Sequence, residues 1–312
     1  MTPGSREATL PERVTIVEVG PRDGLQNEST LVPTATKVAL VERLAATGLR
    51  HVEATSFVNP KAVPQLADAP EVMGAIERID GVTYPVLVPN ERGYEGALAA
   101  GATSISVFTA ASESFTRRNV NATIAESIDR FRPIVDRAAS DGIHVRGYVS
   151  TAWGCPFEGP IAPAAVHGVV QQLADLGITD VSIGDTIGVA VPGEIEPVMG
   201  PLLEFDADLR IALHLHDTRG TAIANAWAGL QLGIDTFDAS VAGLGGCPFA
   251  PGATGNLATE DLVWMLHRHG IGTGVDLEAL IDVARWITSD IDRPVSGHVT
   301  GPRIWPWPPE AS

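Results

Sequence analysis

The stretch LRIALHLHDTRG, residues 209–220, is where the fold is decided. Side chains alternate along a strand, so His214 and His216 would face one side while Leu213 and Leu215 face the other. On a helix the same spacing splays the two rings by more than half a turn, and they could share no ligand. The chain has only 8 histidines and holds its own control. His267 and His269 in MLHRHG have equal spacing but sit in a helical pattern, and they read as surface residues. The question is whether 211–216 is a strand, and what its end faces.

Outward from that stretch, short β-branched runs alternate with longer amphipathic ones. Strands are expected at 13–20, 50–56, 82–88, 103–109, 143–150, 178–185, 209–216 and 234–243. Helical patterns lie near 34–47, 67–79, 91–100, 119–141, 163–176, 193–203, 218–232 and 258–269, with a further helix at 276–289. Turn signals such as ATGLR, SDGIH and QLGID separate the units, with glycine where a helix would be capped. Eight such units predict an α/β fold, a (β/α)8 TIM barrel, in preference to a doubly wound sheet, which would need an early nucleotide fingerprint. The expected organisation is one domain over 1–312, the barrel at about 13–270 and a short C-terminal helical extension at about 271–312.

Of 312 residues 45% are hydrophobic and 19% charged, which fits a globular chain with a substantial core. A net charge of −17 argues against nucleic acid or an anionic membrane as partner, and leaves an anionic substrate only where arginines act locally. No apolar run is long enough to span a membrane. The two cysteines, Cys155 and Cys247, make no disulfide framework, and MTPGSREATLPERV has no apolar core of a leader. The expected compartment is the cytoplasm.

In a barrel of this kind chemistry sits at the C-terminal ends of the strands. The unusual polar residues fall there: Arg22 and Asp23 in GPRDGLQNE, Glu53, Arg146, Asp185, the histidine pair, and Cys247 and Asn256 in the glycine-rich loop 243–256. Two imidazoles with carboxylate and amide oxygens form a mixed nitrogen and oxygen set. Such a set suits an exchangeable Mg²⁺ or Mn²⁺, with Zn²⁺ or Co²⁺ also compatible. Asp23 is the natural carboxylate, although RDG is also good turn chemistry. Asp217 should point away from the axis, as a helix cap or a group behind the ligands. Arg22 can neutralise an oxyanion, while Glu53 can pair with it or relay a proton. Cys247 reads equally as inert packing or as a thiol carried on a mobile loop.

VEVGPRDGLQNE, HVEATSFVNPKAVPQLAD, VRGYVSTAWGCPFEG, VSIGDTIG, HLHDT and VAGLGGCPFAPGATGNLATED together resemble the 3-hydroxy-3-methylglutaryl-CoA lyase family, in register from about 13 to about 290. That family is part of a group of metal-dependent TIM-barrel lyases and synthases. The resemblance implies a divalent metal on Asp23, His214, His216 and Asn256, an enolate-stabilising arginine at Arg22, an essential acid at Glu53 and a catalytic Cys247. It places Ser182, Asp185 and Arg146 among the substrate-binding positions, and Arg117 and Arg118 are expected near the CoA phosphates. The implied reaction is metal-assisted retro-Claisen cleavage of an acyl-CoA, with Asp23 or a water as base, in a homodimer or higher homo-oligomer. Arg219 and Trp153 stand where animal lyases have tyrosine and leucine, so the acyl group is open, citramalyl-CoA being one alternative. A Claisen-type synthase is the rival within the group. A Schiff-base aldolase would need a barrel lysine, and the only lysines are Lys37 and Lys61.

Overall fold

A computed structural model describes residues 10–205, 207–246 and 255–301. The barrel strands are β1 (Thr15–Glu18), β2 in two segments (His51–Val52 and Thr55–Ser56), β3 (Val86–Leu87), β4 (Ser104–Ala110), β5 (His144–Ser150), β6 (Asp180–Asp185), β7 (Arg210–Leu215) and β8 (Thr236–Ala239). Each pairs in parallel with its neighbours in the order β2-β1-β8-β7-β6-β5-β4-β3. The first segment of β2 lies on β1 and the second on β3. Between them Glu53 N–H donates to the Glu18 carbonyl at 2.8 Å and Ala54 N–H to the Pro85 carbonyl at 3.0 Å. One stretch of chain therefore supplies both edges, and the sheet closes. Closure removes the exposed edges that a parallel sheet would otherwise present.

The expected elements are present, with one helix divided. In place of a helix over 119–141 the chain forms Glu113–Val120, Ile124–Asp129 and Arg132–Asp141. Asn121 ends the first in the left-handed region, at φ 51°, a conformation that asparagine tolerates. Thr123 and Glu126 then cap the second reciprocally, the T-x-x-E signature of a new helix start. Pro133 opens the third, where its missing N–H costs nothing. The helix Leu277–Asp290 packs over the turn that follows β8, so this helix is part of the same core.

Outside the barrel wall two carboxylates are fully buried. Glu18 accepts N–H bonds from Gly20 and Val241 and the Thr259 hydroxyl, yet burial outweighs them and pushes it up to about 7. Glu260 accepts from Ala242 N–H and burial pushes it up to about 8. Its other oxygen lies so near Gly297 that a β-carbon there would sit 2.0 Å away. From about 4.5, the ordinary carboxyl value, to about 8 the unfolded chain loses the Glu260 proton while the folded chain keeps it. The folded state binds more protons across that window, so stability falls as pH rises through it. Glu260→Gln should flatten this decline. Urea midpoints measured at about pH 5 and about pH 8 should drop less for the variant than for the parent chain.

Candidate active site

The sequence GPRDG after β1 cannot continue as a strand. Its amides fold back, with Asp23 and Gly24 N–H both donating to the Val19 carbonyl, and the turn Gly20–Gly24 throws Arg22 and Asp23 into the barrel mouth. Arg22 is buried and held from two sides. Its Nε donates to Glu53 Oε2 at 2.7 Å and its Nη1 to Asp23 Oδ1 at 2.6 Å. Burial works against the charge on the guanidinium, but Glu53 and then Asp23 more than offset it and raise its pKa. Glu53 is raised by burial more than Arg22 lowers it, and its Oε1 has no partner.

Across the mouth β7 delivers His214 and His216 to one side, as alternation requires. Their Nε2 atoms lie 3.2 Å apart, and His214 Nε2 is 4.0 Å from Asp23 Oδ2. Burial opposes charge on Asp23, but Arg22, both histidines and Asn256 pull its carboxyl down to about 2. Burial and the neighbouring His214 push His216 down to about 4, which keeps it neutral. His214 feels the same burial, yet its hydrogen bond to Asp238 and the charges of Asp238 and Asp23 raise it overall. Asn256 reaches the cluster because its backbone bridges His216 beyond the end of β7. Its Nδ2 donates to Asp23 Oδ2 at 2.9 Å and to the Leu244 carbonyl at 3.0 Å, leaving Oδ1 buried without a partner.

Those features fit a divalent cation. One atom each from Asp23, His214 and His216 lies within 4.8 Å of the others, and Asn256, whose Nδ2 meets Asp23, has an unpartnered buried oxygen. Two facing imidazole nitrogens, a carboxylate and an amide oxygen are a borderline-to-hard donor set. The control pair behaves as expected. His267 bonds Thr273 and His269 bonds the Met265 carbonyl near the end of the helix Thr259–Arg268.

The cavity around the cluster is also lined by Gln26, Asn27, Leu87, Phe108, Phe115, Asn119, Tyr148, Ser150, Ser182 and Thr186. Ser182 is therefore at the site. Arg146 and Asp185, expected among the substrate-binding positions, do not line this cavity among the described residues. Arg146 lies deeper in the barrel, paired with Asp238 at 2.8 Å and Asp180 at 3.5 Å. Asp185 accepts Val189 and Ala190 N–H and so shapes the loop after β6. Arg117 pairs loosely with exposed Glu113, and Arg118 stacks 4.1 Å over Phe157. Neither lines the cavity, although Phe115 and Asn119 of the same helix do. Asp217 accepts from Ala222 N–H at the start of the helix Ala222–Gln231, which is the capping role. Arg219 donates to the Ile187 and Gly188 carbonyls and Trp153 to that of Glu194, so both serve loop structure. Cys247 lies outside the described residues.

Two buried groups were not singled out by the sequence reading. Tyr148 lines the cavity beneath two guanidiniums, Arg22 and Arg146, at 5.4 and 5.6 Å from its ring centre, with its hydroxyl unpartnered. Asp238 accepts from Arg146, Ser182 and His214. Both lie on inward-facing positions of their strands, Tyr148 two residues after Arg146, and that period was the available signal.

The profile of the HMGL-like family matches residues 13–287. The protein named hydroxymethylglutaryl-CoA lyase, mitochondrial, of Rattus norvegicus is 51% identical over 295 residues, covering 95% of this chain and 91% of the rat protein. The crystal structure of hydroxymethylglutaryl-CoA lyase from Pseudomonas aeruginosa superposes with a TM-score of 0.91 at 45% identity, covering 93% of this chain and 97% of that one. An HMG-CoA lyase from Acinetobacter baumannii, solved in complex with coenzyme A and 3-methylmalate, gives 0.90 at 37% identity over 95% and 98% of the two chains. Agreement of the profile, the sequences and the folds across the whole barrel means that the chain belongs to the HMGL-like family.

Proposed function

We propose that this chain is a carbon–carbon lyase that cleaves 3-hydroxy-3-methylglutaryl-CoA to acetyl-CoA and acetoacetate. The observation that carries the reading is the meeting of Arg22, Asp23, His214 and His216 on the wall of one cavity at the barrel mouth, with Glu53 bonded to Arg22 and Asn256 to Asp23 behind them. Relatives of that name, about half identical, support the substrate. Asp23, His214, His216 and Asn256 would hold a divalent cation, for which Mg²⁺ or Mn²⁺ fits the donors best, and it would acidify the substrate's tertiary hydroxyl.

In the cleavage the hydroxyl proton leaves, the C–O bond becomes a carbonyl, and the C2–C3 pair passes to the thioester as an enolate. Asp23, pulled down to about 2 by Arg22 and the histidines, stays ionised, so it or a bound water receives that proton. Arg22 donates to the enolate oxygen as its charge grows. It can do so without reorganising because Glu53 and Asp23 already fix its plane. Cys247 then gives its thiol proton to C2, completing acetyl-CoA. Incubation with 3-hydroxy-3-methylglutaryl-CoA and with citramalyl-CoA tests the assignment. Acetyl-CoA should be released fastest from the first, and release from citramalyl-CoA alone would reassign the acyl group.

Arg22→Met should lose about 10²–10³ in kcat with a smaller change in KM, because the thioester oxygen is charged only as the bond breaks. Steady-state kinetics decide this, and a loss confined to KM would move Arg22 to ground-state binding.

His214→Ala should leave the circular dichroism unchanged while Mn²⁺ affinity, read by calorimetry, falls by more than about 100-fold. Unaltered affinity would remove this residue from the ligand set.

Cys247→Ser should keep Mn²⁺ binding and fold but cleave far more slowly, since a thiol with a pKa of about 8.5 yields a proton near neutrality and a serine hydroxyl does not. Alkylation should inactivate the parent chain, and bound substrate should slow the alkylation. Wild-type turnover by alkylated enzyme would make a water or Glu53 the donor.

A further inference from the structure

Asp238 takes no part in the steps above, yet it is among the most constrained groups in the barrel. It faces inward from β8 directly beside His214 in the register of β7 and β8, and only 1% of it is exposed. Its Oδ1 accepts Arg146 Nη2 at 2.8 Å. Its Oδ2 accepts Ser182 Oγ at 2.6 Å and lies 3.2 Å from His214 Nδ1. A guanidinium has donors and no acceptor, and a carboxylate held by one has acceptors and no donor. The ring nitrogen that meets it must therefore carry the hydrogen.

We infer that Asp238 is a positioning residue that selects the Nδ1–H tautomer of His214 and so leaves the Nε2 lone pair directed at the site of a divalent cation. That nitrogen is the one 3.2 Å from His216 Nε2 and 4.0 Å from Asp23. His216 offers the contrast, because its Nδ1 is buried with no partner and its Nε2 meets that of His214, with no carboxylate behind the ring. Of the two imidazoles, one is oriented by a carboxylate three strands deep in hydrogen bonds, from β5 through Arg146, β6 through Ser182 and β8 itself. The metal reading gives this selection its purpose, but the tautomer follows from the hydrogen bonds alone.

The test uses the full chain, free of metal and labelled with ¹⁵N-histidine, at alkaline pH, where His214 with its raised pKa is a neutral imidazole, with His214 signals assigned by difference from His214→Gln. Long-range ¹H–¹⁵N spectra should show His214 protonated at Nδ1. In Asp238→Asn, the amide oxygen must turn to Arg146, which can only donate, so the amide NH₂ faces Ser182 and His214. His214 should then switch to the Nε2–H form, and Mn²⁺ affinity should fall about 10–100-fold, the range usual for lost partners behind a ligand. Ser182→Ala should leave the tautomer as it is. An Nε2–H His214 in the parent chain would overturn the inference, whether or not Asp238→Asn folds. So would a folded Asp238→Asn with unaltered tautomer and Mn²⁺ affinity. Failure of the parent chain to bind Mn²⁺ would instead strike the metal reading and leave the tautomer result standing.

Discussion

The guanidinium of Arg22 lies between Glu53 and Asp23, 2.7 and 2.6 Å away, inside a barrel that admits almost no solvent to it. Removing such charges from water costs several kcal/mol per ion, and their mutual attraction returns that only when the geometry is near ideal. The barrel interior meets this condition by pairing its two arginines with carboxylates on more than one side. Arg146 answers Asp238 and Asp180 below, as Arg22 answers Glu53 and Asp23 above. Hydrophobic residues of equal volume would serve stability at least as well. What the charges add is fixed direction: each carboxylate aims a guanidinium or an imidazole that could otherwise rotate.

Much of this was legible in the sequence because it is periodic or local. The His-x-His spacing needed only strand alternation, and GPRDG needed only turn chemistry. The eight alternating units sufficed for the barrel, since a closed parallel sheet is what such units can build. The helix expected over 119–141 failed through a local signal passed over, the T-x-x-E start at Thr123 within an otherwise continuous polar and apolar pattern. Asp238 and Arg146 were harder for a different reason. Their meaning lies in a contact 92 residues apart in the chain, and nothing near either residue encodes it. An arginine facing inward on a strand reads as a substrate contact until the carboxylate that occupies it is known.

The loops that frame the mouth impose a second constraint, close backbone approach. Gly188, after β6, sits at φ +58°, where an added β-carbon would lie 2.8 Å from the His216 carbonyl. Gly255 would place one 1.9 Å from the Gly243 carbonyl. The ends of β6, β7 and β8 are thus joined backbone to backbone, and Asn256 reaches Asp23 only because the chain on either side of it is pressed against its neighbours. Glycine at these two positions is a requirement of the site as much as of the fold.

Net charge bears on the site less than its magnitude suggests. The −17 is spread over a surface screened within about 8 Å at physiological ionic strength. Among the described cavity-lining residues the carboxylates and guanidiniums are Asp23 and Arg22, which are bound to one another. Glu53 behind them draws Arg22 further from free positive charge. The mouth on its own therefore has little attraction for a substrate carrying a carboxylate and CoA phosphates. The positive charge that such an anion needs has to come from outside the ion pairs. A divalent cation held by Asp23, His214, His216 and Asn256, as proposed above, would supply it beside Arg22, where attraction for the substrate and stabilisation of the enolate would act at one point.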